Sequence, residues 1–144
     1  MELNTTFYET ELQVRPDDID MFQHVHSTRY LDYVLAARYD QMERCYGNPM
    51  HVYLEKGLGW VASSCFIEYK RALKLGDTMR VRTRIMEVRK NDVKVEFEIL
   101  NKQSGKLCCK GYFNFTLVEL QNGRAMAIPD WVQGLYVKKT TDID

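Results

Sequence analysis

The thirteen residues from Arg15 to Ser27, Arg-Pro-Asp-Asp-Ile-Asp-Met-Phe-Gln-His-Val-His-Ser, hold three aspartates and two histidines. An aspartate in such a segment can attack a carbonyl carbon or draw a proton from water. It can equally accept backbone amides and fix a turn. His24 and His26 can orient the loop, hydrogen-bond Asp20 or a substrate, or simply pack. Asp18, Asp20, His24 and His26 have the atom types of a metal site, but carboxylate attack and water activation call for no metal, and none is assigned. Ser63, Ser64 and Cys65 offer further nucleophile types without an activating base beside them. Ser64 is kept as a hydroxyl that positions water or substrate.

A strand and a helix must hold the acidic segment in place. Residues 7–15 alternate loosely and end at Pro16, which reads as a strand closed by proline. Residues 28–46 contain neither proline nor glycine. Leu31, Val34, Leu35, Arg38 and Met42 recur there at three and four, and Tyr30, Tyr33 and Ala37 widen the apolar arc. That is a helix with a broad buried surface. Ser27 or Thr28 is placed to cap it, and Gly47-Asn48-Pro49 to stop it. The first amides of this helix, and those of Gln23 and His24, are candidate donors to a developing oxyanion, because a helix start carries partial positive charge. Arg38 on the buried surface calls for a carboxylate partner, Asp77 or Asp18.

The remainder reads as sheet after a short second helix at 50–56. A long, mostly apolar strand at 60–70 is expected to be central. The strand 78–89 alternates Met79, Val81, Thr83 and Ile85 with Arg80, Arg82 and Arg84. Val93, Val95, Phe97 and Ile99 alternate with Lys94, Glu96 and Glu98, and a third long strand runs over 107–119. Asn122-Gly123 signals a hairpin, with a short strand at 124–128 and a terminal helical turn at 130–137. The order predicts one α+β domain over residues 1–144, its helix covering one face of an antiparallel sheet of sequential neighbours. A partner or solvent-tolerant residues must protect the remaining face or edge.

Composition narrows the function. The formal net charge is zero and 45% of the 144 residues are hydrophobic. No broad field favours nucleic acid, and no apolar run matches a membrane span. The N-terminal acidic residues Glu2 and Glu9 argue against an export signal, which places the chain in the cytoplasm. Cys45, Cys65, Cys108 and Cys109 fit no zinc spacing and are read as reduced thiols.

Two groups of residues carry a resemblance. Asp18, Asp20, His24, Val25, Tyr30 and Arg38 match an N-terminal signature, and Tyr69, Lys70, Arg71, Gly76 and Asp77 match a second one. In this order, over residues 8 to 120, the chain resembles the hotdog-fold thioesterases, in particular the 4-hydroxybenzoyl-CoA thioesterase group, with similarity to acyl-ACP thioesterases. The resemblance implies a long central helix wrapped by a curved antiparallel sheet of five to six strands. It implies a homodimer, or a dimer of dimers, with active sites at the subunit interface. The implied reaction is hydrolysis of an acyl-CoA or acyl-ACP thioester. Asp20 would act as nucleophile or general base, with no cofactor beyond the coenzyme A or pantetheine of the substrate. His24, His26 and Ser64 join it as catalytic candidates. Gln23, Ser27, Tyr30, Lys70 and Arg71 are the substrate-binding candidates, the last two facing CoA phosphates. Four positions depart from the family pattern: Gln23 stands where it has glycine, His26 and Ser27 where it has two asparagines, and Leu35 or Ala36 where it often has an acidic residue shortly before the helix arginine. These departures favour, as the rival reading, a non-enzymatic hotdog protein that binds an acyl thioester or a protein partner. A dehydratase would need a carboxylate on the helix, where Asp32 alone is available, off the apolar stripe.

Overall fold

The computed structural model describes residues 2–138. Five strands form one antiparallel sheet: β1 (Tyr8–Gln13), β2 (Leu58–Tyr69), β3 (Thr78–Val88), β4 (Asp92–Asn101) and β5 (Leu107–Glu119). Their order across the sheet is β1-β3-β4-β5-β2. The helix α1 (Tyr30–Arg44) lies on its inner face, followed by the short α2 (Met50–Glu55). A last helical turn, α3 (Asp130–Gln133), continues as a 3-10 turn over Gly134–Tyr136.

Two-residue periodicity decides which side chains meet the helix. Met79, Val81 and Ile85 of β3, and Val93, Val95, Phe97 and Ile99 of β4, are buried on the inner face. They pack with Tyr30, Tyr33, Val34, Ala37 and Met42 of α1 in two adjoining clusters. Each such side chain contributes roughly 1.5–3 kcal/mol when fully withdrawn from water. The intervening residues form the outer face, where Arg82 pairs with Glu98 at 2.9 Å and Glu9 at 3.2 Å, and Arg84 with Glu96 at 3.2 Å. The register sets these pairs, since Arg82 lies opposite both Glu9 and Glu98, and Arg84 opposite Glu96. The Phe7 ring sits under both guanidinium groups, at 4.3 and 4.4 Å. The alternating arginines are thus half-buried in a charge ladder rather than free on an exposed face.

Several sequence expectations need correction. The strand expected at the centre, β2, is an edge strand paired only with β5. Sequential neighbours hold for β3, β4 and β5, but residues 70–77 carry the chain from one edge across to the β1 side. Gly111 allows the β2–β5 approach: a Cβ there would collide with the Phe66 carbonyl. Residues 61–66 of β2 are exposed. The expected strand at 124–128 is reduced to one bridge, Val118 to Ala125, although the chain does turn back at Gly123. The α-helix begins at Tyr30, after a 3-10 turn over Ser27–Arg29 that neither Ser27 nor Thr28 caps with its side chain.

Arg38 also departs from expectation. It forms no ion pair with Asp77 or Asp18; its Nη1 donates to Thr83 Oγ1 at 3.3 Å, and its guanidinium lies over the Tyr46 ring. Asp77 instead accepts the Lys74 amide, and Asp18 accepts the Tyr33 hydroxyl. All four cysteines are free thiols. Among the described residues no helix is long and apolar enough to cross a membrane.

Candidate active site

Asp20 sits in a loop closed by its own side chain. Its Oδ1 accepts the Phe22 amide at 2.9 Å and the His24 amide at 3.1 Å. Its backbone N–H donates to the His24 carbonyl, and its carbonyl accepts the Gln23 N–H. One carboxylate oxygen therefore fixes the turn, the role that Asp commonly takes in loops. No protein hydrogen bond reaches Oδ2 among the described residues. The turn also holds Gln23 at φ 64°, in the left-handed region where a side chain is disfavoured and glycine is not. This is the position where the family signature has glycine. Bonds on both sides of Gln23 enforce the conformation, because its carbonyl also accepts the Leu75 amide.

Asp18, two residues earlier, has a different environment. It is buried, with Oδ2 accepting the Tyr33 hydroxyl at 2.8 Å and Arg29 3.6 Å from Oδ1. Its backbone carbonyl takes the His26 amide. Burial pushes the Tyr33 hydroxyl up to about 12, with the Asp18 hydrogen bond acting in the same direction. Asp18 ties the loop to α1, while Asp20 remains at the surface of the loop.

A cavity of about 450 Å³ opens beside Asp20. It brings together Asp20, His24, His26, Ser27, Tyr30, Lys70 and Arg71, seven of the nine candidates chosen from sequence. Tyr30 is anchored by accepting the Leu73 amide at 2.9 Å, and burial raises its hydroxyl pKa. Lys70 is paired with Glu68 at 3.0 Å. Sequence reasoning assigned Tyr69 no role, yet it borders the cavity, donates to the Ser27 carbonyl at 2.6 Å and meets Tyr30 edge-to-face. The strand pattern of β2 carried no hint of this, since only the tertiary fold brings β2 to the helix start.

The other two candidates lie elsewhere. Gln23 shapes the loop without lining the cavity. Ser64 follows a bulge on the β2 edge, where Asn114 donates to its hydroxyl at 2.8 Å. Within one chain it does not join Asp20. The expected His26-to-Asp20 side-chain hydrogen bond is absent among the described residues, and Asp18, Asp20, His24 and His26 do not converge as a metal-holding group. The proposed oxyanion donors are also redistributed. The Gln23 and His24 amides are engaged by Asp20, and the His26 and Arg29 amides by backbone carbonyls. The Ser27 and Thr28 amides, at the start of the 3-10 turn, have no acceptor among the described residues, as expected for the first N–H groups of a helix.

The comparisons with known proteins agree with this architecture. The sequence profile of the thioesterase-like superfamily matches residues 14–135. The chain is 22% identical over 120 residues to the long-chain acyl-CoA thioesterase FadM of Escherichia coli (strain K12), covering 83% of this chain and 89% of that one. Its fold is similar to that of a hypothetical protein, TT1821, from Thermus thermophilus, with a TM-score of 0.82 and 24% identity, covering 89% of this chain and 95% of that one. It is similar to that of a DHNA-CoA thioesterase from Staphylococcus aureus, with a TM-score of 0.82 and 18% identity over 88% and 87% of the two chains. The helix laid on a five-stranded antiparallel sheet is the hotdog fold, and thioester hydrolysis is the general activity supported by the match. With 122 consecutive residues under that profile, the chain belongs to the thioesterase-like superfamily.

Proposed function

We propose that this chain hydrolyses an acyl thioester, with Asp20 as the reacting carboxylate. The observation that carries the reading is the division of labour within that side chain. Oδ1 is held by two amides, Oδ2 has no protein partner among the described residues, and Asp20 borders a cavity. A carboxylate fixed at one oxygen loses little freedom on reaction, which is how positioning lowers a barrier. In the general-base route Oδ2 takes a proton from water as the water oxygen attacks the carbonyl carbon. The tetrahedral oxyanion then faces the free Ser27 and Thr28 amides. Its collapse releases the acid and expels the thiolate, which recovers the proton from Asp20. In the nucleophilic route Oδ2 itself forms a mixed anhydride and the thiolate leaves; water then cleaves the anhydride.

Coenzyme A or carrier-bound pantetheine enters as part of the substrate, and no cofactor takes part. The CoA thioesters named for two of the relatives favour a CoA substrate. Arg71 and Lys70 at the cavity edge offer charge to its phosphates. His24 and His26 orient the loop and the substrate. The chain acts as one cytoplasmic domain and as a homodimer, two of which can associate as a dimer of dimers. The exposed β2 edge, with Val61 and Phe66 nearly half exposed, is the kind of surface that a second strand covers. Ser64 on that edge would reach an active site only from a partner subunit.

The rival, a protein that binds a thioester without cleaving it, is favoured by the Asx turn itself, since that turn gives Asp20 a structural reason to be present. Thiol release from short, medium, long and aromatic acyl-CoAs, measured for the wild type and for Asp20→Asn, separates the two. Turnover that collapses in folded D20N supports hydrolysis through Asp20. Turnover unchanged in D20N removes Asp20 from the chemistry. Binding without turnover across acyl-CoA and acyl-ACP substrates establishes the rival.

A further inference from the structure

Arg38 is a buried charge for which the proposed chemistry has no use. The residue is 7% exposed, and the one side-chain hydrogen bond it makes among the described residues is donated to a neutral hydroxyl, Thr83 Oγ1. Thr83 donates onward to Gln41, Gln41 to Thr10 at 3.0 Å, and Thr10 to Asp40 at 2.6 Å. The first carboxylate on this path is therefore three side chains away, and it is already paired with Arg44 at 3.0 Å. A guanidinium stays charged and carries five donors. One neutral hydroxyl and the Tyr46 ring leave most of these donors without a protein acceptor among the described residues.

Arg38 lines a cavity of about 200 Å³, whose walls include Leu35, Met42, Trp60, Val95 and Phe115. This cavity shares no lining residue with the one beside Asp20. An apolar cavity of about 150 Å³ is large enough to take benzene, so this one accommodates a ring or a short chain. The combination is apolar walls and one underused cation.

We propose that this cavity binds a small apolar molecule ending in a carboxylate, with the carboxylate on Arg38 and the apolar body against Met42, Val95 and Phe115. Two sources fit the same chemistry. One is a free carboxylic acid, which is independent of the thioesterase reading. The other is the far end of a dicarboxylic acyl group held at Asp20, which rests on that reading. Along α1, Arg38 lies eight residues beyond Tyr30, about 12 Å, a span that an extended acyl chain can cover.

Isothermal titration calorimetry of the wild-type chain with octanoate and with octan-1-ol tests the proposal without any variant. The carboxylate is expected to bind about tenfold or more tightly than the alcohol, the scale of one charged hydrogen bond. Arg38→Met should erase that preference and Arg38→Lys should retain part of it. Equal affinity for acid and alcohol, or a preference that survives in folded R38M, overturns the proposal for a free acid. The second arm compares KM for 7-carboxyheptanoyl-CoA and octanoyl-CoA. A KM about tenfold lower for the carboxylated thioester, lost in R38M, assigns the acyl-group source. Equal KM values together with octanoate binding assign the free acid. No preference in either arm sinks the proposal altogether. Absence of turnover with both thioesters counts against the thioesterase reading and leaves the calorimetric result to stand or fall by itself.

Discussion

The loop around Asp20 and the outer face of the sheet are both dense in charge, and they are connected in opposite ways. On the sheet, each arginine of the Arg82 and Arg84 pairs meets a glutamate that the strand register places directly opposite. Arg82 and Arg84 there have charged partners, Lys94 lies over the Tyr112 ring, and the arrangement protects a solvent face. In the loop, Asp20 is held by uncharged groups, two backbone amides, whereas the buried Asp18 combines a tyrosine hydroxyl with Arg29 at 3.6 Å. Neutral donors position a carboxylate without neutralising it. The difference separates charge that solvates a surface from charge that stays available for a substrate.

Asp20→Asn should produce the largest effect, a loss of roughly 10²–10⁴-fold in thioester turnover, the usual range for a missing acid–base group. Its melting temperature should stay close to wild type, because the Asn oxygen can accept the same two amides. Asp20→Ala should lose turnover and, in addition, about 1 kcal/mol of stability, by analogy with a lost cap. If calorimetric melts of D20N and D20A fall equally while thiol release persists, Asp20 belongs with the structural charges and the contrast fails.

Asp18→Ala should cost about 1–3 kcal/mol in urea unfolding, since it leaves a buried tyrosine hydroxyl without its acceptor. The same contact has a pH signature. Tyr33 titrates at about 12 in the folded chain against an ordinary 10.0, so the folded state holds its proton more tightly. Its contribution is complete below pH 10.0 and is lost as pH rises toward about 12. Melting temperatures across that interval should decline less steeply in Tyr33→Phe than in the wild type.

Gln23→Gly removes a side chain from the left-handed region and should stabilise the loop by up to about 1 kcal/mol, after the added flexibility of the unfolded chain is subtracted. A loss of stability in the urea curve would mean that the Gln23 side chain makes a contribution beyond its backbone. The smallest effect belongs to the sheet. A double-mutant cycle on Arg84→Ala and Glu96→Ala should return a coupling of about 0.2–1 kcal/mol and no change in turnover. A turnover defect in either variant would bring the outer face into function and blur the distinction between the two regions.

Much of the fold was legible because its signals are local. The period-two runs of β3 and β4 and the three-and-four spacing in α1 lie within single segments, and both were read with boundaries near those observed. The failures are non-local. β2 looked central because it is long and apolar, but its place at the edge depends on where the 70–77 connection delivers β3. The 124–128 segment has a strong turn signal and no strand pairing beyond one bridge. Arg38 was expected to meet a carboxylate because a buried charge usually does; the fold offers it Thr83 instead.

The candidate site divides along the same line. Asp18, Asp20, His24 and His26 share one short loop ahead of a helix whatever the fold, because neighbours in the chain cannot be far apart in space. The sequence also sets the alternation that covers one sheet face with apolar groups and the other with arginine and glutamate. It is the packing of the whole chain that buries Asp18 and not Asp20, brings Lys70, Arg71 and Tyr69 to the helix start, and leaves Ser64 on an edge strand. Those outcomes depend on contacts between residues some forty positions apart, such as Tyr69 with Ser27 and Tyr30 with Leu73. Spacing along the chain does not encode such contacts; packing the helix against the sheet does.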